Sequence, residues 1–226
     1  MQSPDSPEIA EARARAGRAI RDIGHELVGH QADAALIDEV AHTLNELAAL
    51  LAKGDVRHRA REDRAERWAE PVADGERMVS YDERPFSGRS SPWGVDLEVH
   101  RHGDEIEAIL TLRSAHEGAP GRSHGGIVAG LFDDVFGFVL DVVQEAAFTG
   151  ELTIRYEQPT PLHRPIACRG RLARREGRKL FIEGELVDLE AEGQPVVARG
   201  KGLFISVDPS VFDVGTQQLP APPDEG

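Results

Sequence analysis

The sequence predicts an α+β fold: one long apolar helix held inside a curved antiparallel sheet, with a helical extension ahead of it. Three observations carry this. A Gly/Pro-rich run, Glu117-Gly-Ala-Pro-Gly-Arg-Ser-His124-Gly125-Gly126, passes at once into Ile127-Val-Ala-Gly-Leu-Phe-Asp133-Asp134-Val-Phe-Gly-Phe-Val-Leu140, too apolar for a surface helix. Strand-like runs flank that helix, two before it and four after it. No alternation of strand and helix appears, which argues against a doubly wound parallel sheet.

Residues 1–55 read as a helical hairpin extension. Ile9, Ala12, Ala16, Ile20, Ile23 and Leu27 recur at spacings of three and four. Ile37, Val40, Leu44, Leu47 and Leu51 repeat the pattern after a break at Gly29-His30-Gln31. Each stripe is narrow, so the extension is expected to pack on something else, such as its own copy in an oligomer. Residues 56–76 are highly charged and read as a linker. From Met78 the period becomes two. Val95, Leu97 and Val99 alternate with polar residues, the turn His102-Gly103-Asp104 follows, and Ile106, Ala108, Leu110 and Leu112 return as the second strand of a hairpin. The buried helix is expected over about His124 to Ala147. Four strands follow, over Leu152–Tyr156, Ile166–Leu172, Leu180–Val187 and Val196–Val207. Breaks fall at Pro159-Thr-Pro161, Arg175-Glu-Gly177 and Glu192-Gly-Gln-Pro195. The main domain is thus 77–210, and 211–226 reads as a flexible tail.

Composition narrows the function. The net charge of −14 argues against nucleic acid as a partner. The charge is uneven: Glu151 to Val207 holds ten Lys/Arg and eight Asp/Glu, which leaves −16 for the rest. A locally basic half of an acidic protein suits an anionic ligand, though solvated strand faces would look the same. One cysteine, Cys168, allows no internal disulfide and no metal cluster. No apolar stretch has a membrane span's length, and the N-terminus lacks a signal peptide's layout, so a cytoplasmic protein is expected.

The helix also carries the candidate chemistry. Its first backbone N–H groups have no partner inside the helix and suit an anion or a polarised carbonyl. At about 100° per residue, Gly126, Gly130, Asp133, Gly137 and Gln144 lie within about 60° of one another. Asp134, Asp141 and Glu145 form a second, charged stripe. Asp133 is therefore expected to be a buried acid in a glycine lane where a ligand can approach, and Asp134 to belong to a wet or subunit-facing edge. The pattern leaves a second reading open, in which the lane only lets another helix or strand pack tightly and Asp133 bonds to backbone. His124, just before the two glycines, either serves the site or caps local backbone.

These residues resemble the hotdog-fold acyl-CoA thioesterases. The motif Glu117-Gly-Ala-Pro-Gly…His124-Gly-Gly…Asp133 is similar to that of thioesterase superfamily member four, its bacterial relatives and the phenylacetyl-CoA thioesterase group. Thr149, Arg155-Tyr156, Pro159-Thr-Pro161-Leu162, Glu176-Gly177-Arg178-Lys179 and Leu203-Phe204-Ile205 into Asp208-Pro209 extend the likeness over roughly residues 80–210. The resemblance implies a hotdog homodimer or dimer of dimers with the active site at the dimer interface. It implies Asp133 as general base or nucleophile, the Gly125 amide as oxyanion donor, and His124 holding that end of the site. Thr149, from the partner subunit, would orient the carboxylate or water. Gly126, Arg155, Glu157, Arg178 and Lys179 would meet substrate, the cations facing coenzyme A phosphates. The chemistry needs no metal or organic cofactor. Two other functions are carried alongside: a non-catalytic acyl-CoA-binding module, which the helical extension suggests, and a hotdog dehydratase or hydratase.

Overall fold

The computed structural model describes residues 6–56 and 72–208. Most of the expected linker and the whole expected tail after residue 210 lie outside the described residues. The N-terminal region holds α1 (Pro7–Gly29) and α2 (Ala34–Leu51). Strands β1 (Arg77–Met78), β2 (Glu98–His102) and β3 (Glu105–Thr111) lead to a short 3-10 turn at Ser114–His116 and then to α3 (Gly125–Val142). After it come β4 (Ala147–Tyr156), β5 (Pro165–Glu176), β6 (Lys179–Asp188) and β7 (Val196–Ser206). The strands form one antiparallel sheet in the order β1-β2-β3-β5-β6-β7-β4. The strand that follows the helix crosses to the far edge, and the sheet wraps α3. This is the hotdog arrangement.

The reason that the sheet can wrap so closely is a row of missing side chains. Gly170, Gly184 and Gly200 are successive cross-strand partners on β5, β6 and β7. A Cβ on Gly184 would lie 2.8 Å from the Phe136 ring, and one on Gly200 would lie 2.6 Å from Phe132. The trough accepts two fully buried rings of α3, 5.6 Å apart between centroids. Phe138 is core as well.

Several element boundaries differ from the sequence reading: β4 starts at Ala147 rather than Leu152, β5 runs on to Glu176 past Leu172, and two others have a visible cause. β2 starts at Glu98, because Val95 sits in the turn-rich segment before it, its N–H donating to Phe86 O. α3 ends at Val142, short of Ala147, since Gln144 takes φ 56° and its side-chain amide Nε2 donates to Asp141 O at 2.7 Å. With Glu145 N donating back to Leu140 O, this left-handed residue closes the helix and releases the chain into β4.

The N-terminal helices form where expected, and α1 meets the domain through residues outside its apolar stripe. α1 docks on the domain by its polar face: Gly17, Arg21 and His25 are buried, while Ile20 and Leu27 are about half exposed. Gly17 permits this, since a Cβ there would lie 2.5 Å from Ser90 O. Arg21 donates to Arg89 O, Ser91 O and Asp96 Oδ1 at 3.1, 2.6 and 2.9 Å. α2 has no buried residue. Neither apolar stripe is covered among the described residues.

Candidate active site

Asp133 projects from α3 beside the edge strand β4. The Thr149 hydroxyl donates to its Oδ1 at 2.8 Å. The register of β4 against β7 shifts between Thr149 and Glu151, so Gly150 forms a bulge that re-aims the strand at this point. Two expectations are corrected here. Thr149 comes from the same chain as Asp133. In a single chain both are exposed, because β4 is the edge of the sheet and no described strand lies beyond it.

The neighbouring carboxylate is the buried one. Asp134 is 7% exposed, where the sequence suggested a wet edge. Its partner is Arg84, whose Nε donates to Asp134 Oδ1 at 2.8 Å and whose Nη2 donates to the Asp134 carbonyl. The guanidinium also lies 4.7 Å from the centre of the Phe138 ring. The glycine lane explains how Arg84 gets there. A Cβ on Gly137 would meet Arg84 Nη2 and one on Gly130 would meet the Phe86 ring, each closer than any real contact. The lane is filled by this chain's own side chains, and Asp133 stands at its outer margin. Burial pushes the Asp134 carboxyl above the usual carboxylate range, opposed by the Arg84 charge.

The start of α3 is built from the preceding loop. His124 is the N-cap, its Nδ1 accepting from Gly126 N–H at 3.0 Å. That bond occupies Gly126, so Gly126 is not a donor for a ligand. The Gly125 N–H has no hydrogen-bond partner among the described residues. The His124 N–H donates to His116 O at 2.8 Å, and Gly118 lets the loop return against His124, since a Cβ there would lie 2.6 Å from His124 Cα. The Tyr156 hydroxyl donates to Gly125 O at 2.7 Å and so ties the end of β4 to the start of α3. Sequence reasoning noted Tyr156 without giving it a role. A phenol on an edge strand carries no signal that its partner is a backbone carbonyl far upstream.

His116 and His25 were missed entirely. The rings pack edge to face with centroids 4.7 Å apart, and both are buried. His25 Nδ1 accepts from Ala115 N and His116 Nδ1 accepts from Arg113 N, each at 3.0 Å. Arg113 in turn pairs with Asp22 and Glu26 of α1. The N-terminal helix is thereby fastened two residues from the Glu117–His124 loop. Burial, then the neighbouring His25 and Arg113, hold the His116 imidazole down at about 4.

The remaining expected residues do not converge within one chain. Arg155 is 82% exposed, 3.7 Å from Glu157, which also meets Arg199 at 3.3 Å. Arg178 donates to Ser206 O at 2.9 Å, and Lys179 opens β6 opposite Ile205. Ile205 pairs with Phe148, so Arg178 and Lys179 stand toward the Thr149 end of β4 and Arg155 toward the Tyr156 end. Thr149 and Arg155 are six positions apart, roughly 20 Å of strand.

No family model matches the chain. It is similar to acyl-coenzyme A thioesterase THEM4 of Bos taurus, 27% identical over 118 residues, 51% of this chain and 48% of the relative. The corresponding protein of Mus musculus is 31% identical over 93 residues, 41% of this chain and 39% of the relative. The chain thus spans about half the length, or less, of the curated relatives it matches. A crystal structure of a thioesterase superfamily protein superposes with a TM-score of 0.71 at 27% identity, covering 90% of this chain and 97% of that one. Residues 56–226 alone could not supply that share, so the structural likeness reaches into the helical extension.

Proposed function

We propose that the chain is an acyl-CoA thioesterase, which hydrolyses an acyl-CoA thioester to a carboxylic acid and coenzyme A at sites assembled between two copies. The observation that carries the reading is the Asp133–Thr149 pair, a hydroxyl-oriented carboxylate on the open edge of the sheet. Asp133 and Gly125 are eight residues apart on α3, about 12 Å along the axis, so one chain cannot bring both to one carbonyl. An unpaired edge strand invites another strand. Antiparallel pairing of two β4 strands about a two-fold axis would lay the Thr149 end of one against the Tyr156 end of the other. Asp133 of one copy would then approach Gly125 of the second. Arg178 and Lys179 of one would approach Arg155 and Glu157 of the other, a rim rich in cations suited to phosphates.

In this arrangement the Asp133 carboxylate takes a proton from water, whose oxygen attacks the thioester carbon. The C–S bond then breaks and the thiolate leaves, taking a proton as coenzyme A. In the alternative, Asp133 attacks the thioester carbon directly, the thiolate leaves as the anhydride forms, and water then hydrolyses the anhydride. The Gly125 N–H receives the charge that develops on the carbonyl oxygen, a donor of the kind worth roughly 10²–10³ in rate. His124 acts on the same end indirectly, by holding Gly126 and the first turn.

The test is complementation. Asp133→Asn and Gly125→Pro are each made in the full chain, the proline removing the amide at a first helical position that suits it. Free thiol release is followed with a panel of acyl-CoAs. Each variant alone is expected to be inactive, and refolded mixtures are expected to recover about a quarter of wild-type sites, those in hybrid two-fold dimers. Asp133→Asn activity near wild type would sink the reading. Tight acyl-CoA binding by wild-type protein with no thiol release would leave the binding module in its place, and hydration of an enoyl-CoA without thiol release would leave the hydratase.

A further inference from the structure

We infer that the exposed faces of α1 and α2 form a second interface between copies of this chain, closed by α2 pairing with α2 of another copy. It involves none of the residues assigned to the reaction and stands apart from the catalytic reading.

The seam on α2 has a heptad spacing. Ile37, Val40, Leu44, Leu47 and Leu51 follow one another by three, four, three and four residues, the register of a and d positions in a helical coil. Leu44, Leu47 and Leu51 are 40%, 51% and 80% exposed. Most helical stability in proteins comes from packing an apolar face, and α2 buries no residue on the described chain, so a partner would stabilise it. α1 shows the same arrangement from the other side. Its Gly17, Arg21 and His25 are committed to the domain, which leaves Ile20, Ile23 and Leu27 facing outward on a helix already held in place.

Area and charge both point to a second copy. Eleven large aliphatic side chains on the two helices are at least 36% exposed. Presented to one partner, they would supply apolar surface on the order of the ~800 Å² each side gives to a standard interface. In the heptad of α2 the e and g positions beside the seam are Leu36, Ala41, Thr43, Ala48 and Leu50, none of them charged. The acids Asp38, Glu39 and Glu46 fall at b and c, away from it. Pairing α2 with itself therefore brings no like charges together. The seam also lacks the e/g charges by which a coil selects a different partner.

The chain's one cysteine, Cys168, is fully buried, so a single introduced thiol reports on the seam. Leu44 is the middle of the five seam positions and meets its own counterpart whether the helices pair parallel or antiparallel. In the full chain, Leu44→Cys is expected to give disulfide-linked dimers under mild oxidation, and Ala49→Cys, on the opposite face, is not. Leu44→Glu with Leu47→Glu is expected to halve the mass measured by light scattering. Mixing that variant with Leu44→Lys, Leu47→Lys protein is expected to restore the mass, which separates a lost seam from a lost helix. Unchanged mass in the Glu variant, mixed copies that stay apart, or equal cross-linking at positions 44 and 49 would overturn the inference. The first result is also what coverage by another protein, or by the rest of this chain, would give. Thiol release by the Glu variant is expected at the wild-type rate per chain, so the outcome is independent of the site on β4.

Discussion

Asp133 and Asp134 are consecutive on one helix, yet they stand in opposite worlds. Asp134 turns toward the segment that carries Arg84 and Phe86, where it is desolvated and tied to a guanidinium. Asp133, one residue and about 100° away, faces the last strand, where its recorded side-chain partner is one threonine hydroxyl. The difference is set by what lies across from each, since the two side chains are identical. A carboxylate buried against a cation has its charge spent on the fold. A carboxylate held by one neutral hydroxyl keeps lone pairs for a water or a substrate.

The comparison can be broken by experiment, starting with the largest effect. Asp133→Asn is expected to lower thiol release by roughly 10²–10⁴-fold, the contribution of a general base, with an unchanged urea midpoint. A fall in stability instead would mean that Asp133, too, serves the fold. Arg84→Ala is expected to do the reverse. It strands a buried carboxylate, which costs about 3–5 kcal/mol, read as a lower urea midpoint. Arg84→Ala at wild-type stability would show that Asp134 is solvated or already neutral. Thr149→Val should cost roughly tenfold in rate, about 1.4 kcal/mol, while Thr149→Ser keeps most of it. Equal losses in both would point to strand packing rather than to the hydroxyl.

The smallest effect concerns the closed side again, where α1 meets the His25–His116 pair. Both imidazoles accept a backbone N–H through Nδ1 and must be neutral to do so. With His116 at about 4 when folded and about 6.5 when free, the detached form binds the proton first. The anchorage is therefore constant above pH 6.5, weakens as pH falls toward 4, and loses no more below that. Amide exchange of α1 is expected to quicken across that window. Protection unchanged from pH 7 to 4.5 would show that the imidazoles do not hold the helix.

Much of this was legible in the chain because it depends on local rules. The turn at Gly103, the strand alternation around it and the His124 cap over two glycines are written in neighbouring residues. Periodicity also separated the two aspartates onto different lanes. It could not say which lane was covered, because the covering residues Arg84 and Phe86 lie in an irregular segment some fifty residues upstream with no period to read. The stripes on α1 and α2 were equally clear, and equally silent about what lies opposite. An apolar stripe says that a helix needs a partner, and α1 meets its own chain through an arginine, a histidine and a glycine instead.

The bare row formed by Gly170, Gly184 and Gly200 has a reach beyond the core. Any methyl placed there would act as a shim between sheet and helix, prising them apart at the middle of the wrap. The strands continue from that fulcrum to β4, so a small lift at the centre becomes a larger swing at the rim, where a single threonine must meet a single carboxylate. Precision at the edge of this molecule is governed by three places where it has no side chain at all.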